Sequence, residues 1–167
     1  MTAWPTLLLL GLFPAALIVA ALRDLTSFTI PNWISLAAVA AFAPAAVAAH
    51  PPFSVLLVSI GVGVAALVLG MGLFALGWIG GGDAKLFAAS ALWLGWPAVL
   101  PFLVWTAVAG GLLALALLWT RPLAPHRVFG GPAWFGRLME PKGDVPYGLA
   151  ICAGALLAFP ASALLHG

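Results

Sequence analysis

Four carboxylates are all the acid this chain possesses: Asp24, Asp83, Glu140 and Asp144, in 167 residues. Two of them stand at the margins of long apolar runs. Asp24 follows an apolar stretch of about 4–22, and Asp83 opens another behind the glycines Gly80-Gly81-Gly82. Ionisable groups at membrane spans are expensive and often functional. If the two ends meet, the carboxylates face each other and can share one proton, because close like charges resist double ionisation. The ionised member then takes a proton from water while the protonated member polarises a scissile carbonyl. Such chemistry needs no metal or other cofactor. The residues also admit plainer roles. Asp83 is a good N-cap for a helix beginning at Ala84, and Asp24 can be an interfacial charge beside Arg23. Glu140 and Asp144 fall in the longest polar segment, where a solvated role suits both.

The elements that must position these acids are membrane helices. The chain is 65% hydrophobic and 6% charged, with a mean hydropathy of +1.20, whereas a soluble domain carries roughly 25% charged residues. A helix needs about 20 apolar residues to cross the hydrocarbon. Runs at about 4–22, 33–49, 53–78, 84–96, 98–119 and 147–166 meet or approach that length. The expected fold is therefore all-α: a single polytopic domain of residues 1–167 with six transmembrane helices. Gly95-Trp96-Pro97 divides what would otherwise be one overlong run, which leaves the fourth span short. The first run ends at Arg23-Asp24 rather than at a small-residue cleavage site, so it reads as a retained span and not a signal peptide. Trp4, Trp33, Trp78, Trp96 and Trp119 lie near run ends, as an interfacial belt requires. Gly77 and Gly81 are spaced as GxxxG, and glycines thin the third run, which suits close helix packing in lipid.

The charges test this count. Consecutive spans alternate in direction, so the breaks after the first, third and fifth share one side. Those breaks hold every Lys, Arg, Asp and Glu in the chain. By the positive-inside rule that side is cytoplasmic and both termini lie outside, in the periplasm. The few basic residues are scattered among apolar runs, which excludes a nucleic-acid partner; the bilayer is the expected one. Cys152 is the only cysteine, so an intrachain disulfide and a Cys-based metal site are excluded.

Three sequence elements carry a resemblance. Gly80-Gly81-Gly82-Asp83 matches the GxGD motif of membrane aspartic proteases, and Gly82-Asp83-Ala84-Lys85-Leu86 looks like its prepilin peptidase form. Asp24, a short spacer and Ile30-Pro31-Asn32 resemble a second signature of that family. Val145-Pro146-Tyr147-Gly148, at the mouth of the last span, resembles a third. They occur in order, each at the same side of its own helix, and together cover essentially the whole chain. The sequence is thus similar to type IV prepilin peptidases.

The resemblance implies catalytic aspartates at Asp24 and Asp83. Gly80 and Gly82 would let the backbone bend and a substrate strand approach. Lys85 would snorkel to the headgroups near the dyad, Pro31-Asn32 would fix the entry into the second helix, and Pro146, Tyr147 and Gly148 would line the site or start the last helix. The implied reaction removes the leader of type IV prepilin or pseudopilin precursors after a glycine, at the cytoplasmic face of the bacterial inner membrane, just before their hydrophobic N-terminal helix. Larger relatives carry a cytoplasmic domain between the first two spans, often with CxxC pairs, and also N-methylate the product. Residues 23–32 leave no room for it, so the chain looks like the compact form serving tight-adherence (Flp) pili.

Within the loop of about 120–146, Val128-Phe129, Trp134-Phe135 and Leu138-Met139 alternate with Arg127, Arg137 and Lys142. That mix suits a segment lying along the headgroups or gating the site. Rival readings are a small ion- or proton-coupled transporter subunit using the same acids, a non-catalytic scaffold, and a GxGD protease with another substrate. Acids confined to one side disfavour transport, which needs them nearer the midplane.

Overall fold

The computed structural model describes residues 3–123, 132–141 and 143–166, with the side chains of Ala3 and His166 left aside. Among the described residues the chain is helical, without strands: α1 (Ala3–Ser27), α2 (Asn32–Ala49), α3 (Phe53–Ala75), α4 (Gly81–Thr120), α5 (Ala133–Leu138), α6 (Tyr147–Ala158) and α7 (Ala163–His166). Five stretches are long and apolar enough to cross a membrane: Trp4–Ser27, Asn32–Ala49, Phe53–Ala75, Gly81–Leu123 and Tyr147–Leu165.

The 40-residue α4 is two limbs rather than one rod. Its helical geometry fails at Gly95 (φ 59, ψ −164) and Trp96 (φ −98, ψ 132), at the expected Gly-Trp-Pro break. Gly95 occupies the left-handed region that glycine enters without a Cβ penalty. Beyond it the chain doubles back: Phe87 and Phe102 stack with ring centroids 5.2 Å apart, although 15 residues of straight helix would separate them by roughly 22 Å. The first limb, 81–94, runs antiparallel to α3, with Gly70 against Ala84 and Gly63 against Leu92. The second, 97–120, runs antiparallel to α6, with Gly110 against Ala150 and Gly154 against Thr106.

Several boundaries differ from the sequence reading. The first helix continues past the apolar run to Ser27, its backbone ladder closing where the Phe28 N–H donates to Asp24 O. Thr26 Oγ1 donates to Leu22 O at 2.7 Å and Ser27 Oγ to Arg23 O at 2.6 Å, back-bonds to the preceding turn that satisfy the two hydroxyls. α3 stops at Ala75 rather than 78. Gly77 (φ 73) ends it in a Schellman turn, with Gly77 N–H donating to Phe74 O and Trp78 N–H to Leu73 O. The last span is interrupted at Phe159–Ala161 by a 3₁₀ turn before α7. The 120–146 segment contains α5; Arg127, Val128-Phe129 and Lys142 lie outside the described residues.

The core runs the length of the bundle, and its aromatic cluster lies toward the end remote from the acids. Trp93 is fully buried, stacked on Phe13 (5.0 Å, 9°) and edge-on to Phe42 (5.7 Å). Its indole N–H donates to Ala38 O at 2.7 Å, and Ser162 Oγ donates to the Trp93 carbonyl at 2.7 Å. This cluster ties α1, α2, the α4 turn and the chain end together. The five Trp expected at run ends are all exposed, from 54% at Trp96 to 75% at Trp119.

Candidate active site

At the opposite end, three helix termini and one loop converge, and local sequence explains each. α1 ends at a left-handed Phe28 (φ 53), whose N–H donates to Asp24 O at 2.8 Å. Asp24 therefore sits in the last helical turn, fixed by backbone geometry on both sides, and is 5% exposed. α4 begins at Gly81 behind an extended Gly80 (φ −71, ψ 149). Asp83 is thus the third helical residue and not the N-cap expected from sequence. Its Oδ2 reaches back to accept the Gly80 N–H at 3.3 Å, the carboxylate half of a capping box. Glycine has no side chain to supply the other half. α6 begins behind a fully buried Pro146, and the second N–H of that helix, from Gly148, donates to Asp24 Oδ2 at 2.7 Å. An orphan donor at one helix start is thereby satisfied by a carboxylate 124 residues away in the chain.

Ile30 is what these pieces share. A Cβ added at Gly82 would stand 2.9 Å from Ile30 Cβ and 3.0 Å from its carbonyl oxygen. A Cβ added at Gly148 would meet Ile30 Cδ1 at 2.9 Å and Asp24 Oδ2 at 2.9 Å. The α1–α2 loop is therefore clamped between the starts of α4 and α6, and both clamping positions require glycine. Asp24, held by the Gly148 N–H, and Asp83, next to Gly82, thus flank the same residue. Asp83 Oδ1 is buried with no hydrogen-bond partner. Such an atom costs about 1–3 kcal/mol, and its lone pairs remain available to a group the fold does not supply.

The outer parts of the site are anchored by cations. Arg137 Nη2 donates to Thr26 O at 3.1 Å and its guanidinium lies 5.6 Å from the centroid of the Phe28 ring, which ties α5 to the end of α1. Arg121 donates from Nε to Leu138 O (3.0 Å) and from Nη2 to Asp144 O (2.8 Å). It thereby returns the second limb of α4 to the end that holds the acids. Lys85 turns to α2, donating to Asn32 Oδ1 at 2.8 Å.

The structure thus brings Asp24, Asp83, Gly80, Gly82 and Gly148 together, with Pro146 behind them. Lys85 is spent on Asn32 rather than on either carboxylate. Tyr147 is 39% exposed, and its ring faces Gly110 of α4. Ile30, Arg121 and Arg137 were not singled out as site residues from sequence. Ile30 was legible inside its Ile-Pro-Asn element; the two arginines carried no signal, since each acts on backbone carbonyls remote in the chain. Glu140 and the Asp144 carboxylate take no part in the cluster.

A model of the type IV leader peptidase family matches residues 11–115. The chain belongs to that family. The match includes Asp24, Ile30 and Gly80–Lys85 and stops before Pro146-Tyr147-Gly148, so the third element rests on geometry and on the motif alone. No curated protein and no solved structure matches the chain. Membership makes this type IV leader peptidase relative a protease of multi-pass membrane type, one whose family acts on leader peptides.

Proposed function

We propose that this chain is an aspartic endopeptidase that removes the leader of type IV prepilin-like precursors, with Asp24 and Asp83 as its catalytic pair. The observation that carries the reading is the clamping of Ile30 between Gly82, beside Asp83, and Gly148, whose N–H holds Asp24, in a member of a leader peptidase family. One acid ionised and the other protonated would hold a water between them. The first would take its proton during attack, and the second would donate to the peptide oxygen. Gly148 N–H holds Asp24 in place, and Gly80 N–H holds Asp83. The unpartnered Asp83 Oδ1 is available to the water or the peptide.

The two limbs of α4 favour six membrane passages, with the charged end in the cytoplasm and both termini outside, by the excess of Lys and Arg at that end. The scissile bond would lie after a glycine at the cytoplasmic face of the inner membrane. The short α1–α2 loop supports a compact enzyme without methyltransferase function, serving Flp-type or related pilins.

The test is cleavage of a co-expressed prepilin by wild type, Asp24→Asn, Asp83→Asn and Asp144→Asn at matched membrane levels. The first two are expected to lose at least about 100-fold in rate, and Asp144→Asn to match wild type. Unimpaired cleavage by either of the first two removes the dyad.

A further inference from the structure

Between α2 and α3 the bundle is open. A cavity of about 980 Å³ runs between them, with the first limb of α4 as its floor. It follows α2 from Asn32 at the charged end to His50 at the other. Eighteen residues of helix extend about 27 Å, close to the ~30 Å of bilayer hydrocarbon. The groove therefore has the length of a membrane span.

Its polarity is graded. Lys85, Asn32 and Ser35 stand at the charged end; the rest of the lining is apolar apart from His50 at the far mouth. The Ser35 hydroxyl is buried with no hydrogen-bond partner. Lys85 is two residues beyond Asp83, and Asn32 two beyond Ile30, so the charged end of the groove lies within one turn of the candidate active site along both segments, although neither acid lines it. Its floor offers Ala88 and Ala89, and its walls Ala43 and Gly63. Small residues of this kind let another helix come close where lipid provides no hydrophobic drive.

We infer that this groove seats an apolar transmembrane helix of the substrate, entered N-terminal end first at the Lys85–Asn32 level, so that the residues preceding the helix lie at Asp24 and Asp83. A helix start leaves N–H groups without intrahelical partners, and the polar lining residues Asn32 and Ser35 stand at that level. The inference rests on the protease reading and adds the surface that holds the substrate in register.

The experiment uses the full chain in membranes with a co-expressed prepilin. A photo-crosslinking benzoylphenylalanine is placed at Val39 or Val64 in the groove, or at the exposed Leu112 outside it, in wild-type and Asp83→Asn backgrounds. Groove positions are expected to yield prepilin adducts at least about tenfold above Leu112 in both backgrounds. Ala43→Trp, which fills the groove, is expected to slow cleavage at least about tenfold, while Ala107→Trp on the outer face of α4 leaves it unchanged. Equal adducts from all positions overturn the inference, as do groove adducts with lipid or a second copy alone, or full activity in Ala43→Trp. In those cases loss of cleavage in Asp83→Asn keeps the protease reading intact. Cleavage by Asp83→Asn removes that reading whatever the adducts show.

Discussion

The α4–α6 seam and the opening between α2 and α3 are built differently. On the α6 side the helices are nearly fused: Gly154 faces the backbone of Thr106, and a Cβ there would stand 2.6 Å from Thr106 N. In the last span 56% of the most apolar window is buried, against 22% in α3. On the α2–α3 side large aliphatics stand apart, with Leu36 67% and Val64 56% exposed. In water such side chains would pull the two helices together. In lipid they gain nothing by doing so, and only small residues and hydrogen bonds close a seam. The closed flank therefore fixes the acids, and the open flank is left for something else.

The comparison breaks most severely if the closed flank tolerates bulk beside Asp24. Gly148→Ala puts a methyl group 2.9 Å from Asp24 Oδ2 and 3.0 Å from Asp24 Cβ, so the carboxylate must move. A displacement near 1 Å costs about 100-fold in rate, and prepilin cleavage is expected to fall by that order. Gly72→Ala, with nothing within 4 Å of the added carbon, should cleave as wild type and controls for expression.

A smaller effect separates packing from chemistry. Gly154→Ala drives a methyl group into Thr106 Oγ1 at the seam between α4 and α6, and overpacking of this kind costs about 1–3 kcal/mol. Its thermal aggregation midpoint in detergent should drop measurably. Gly61→Ala, facing open space, should stay within about 0.5 kcal/mol of wild type. Equal midpoints for the two would mean that the α4–α6 seam is not tightly closed.

The smallest effect concerns the outer anchor. Arg137→Ala loses the hydrogen bond to Thr26 O and the contact with Phe28. Exposed cation–π contacts contribute about 0.5–1 kcal/mol, so cleavage should slow about two- to fivefold with the membrane level unchanged. A much larger loss would assign Arg137 a direct part in holding substrate.

Much of this was readable from residue types alone. Apolar run length and the clustering of all charge into three breaks predict the helices, and Gly95-Trp96-Pro97 marks the turn where α4 doubles back. These are local properties: the bilayer demands continuous apolar length, and a glycine with positive φ or a proline acts on its own backbone. Helix ends were less legible, since α1 runs on to Ser27 through residues that are already polar, and Asp83 entered the third helical position because Gly80 began the cap.

Four acids allow six pairs, and spacing along the chain cannot choose among them; the family motifs pointed to Asp24 and Asp83 by resemblance alone. The tertiary structure brought those two together through contacts that no local pattern encodes: Ile30 wedged between Gly82 and Gly148, and the start of α6 donating to a carboxylate of α1. It also decided that Lys85 serves Asn32 and that α2 and α3 part to leave a groove. Sequence by itself determined which segments are helices and where they break, because each residue meets the membrane individually. Which helices touch, and which remain apart, was decided only when small residues from distant segments met face to face.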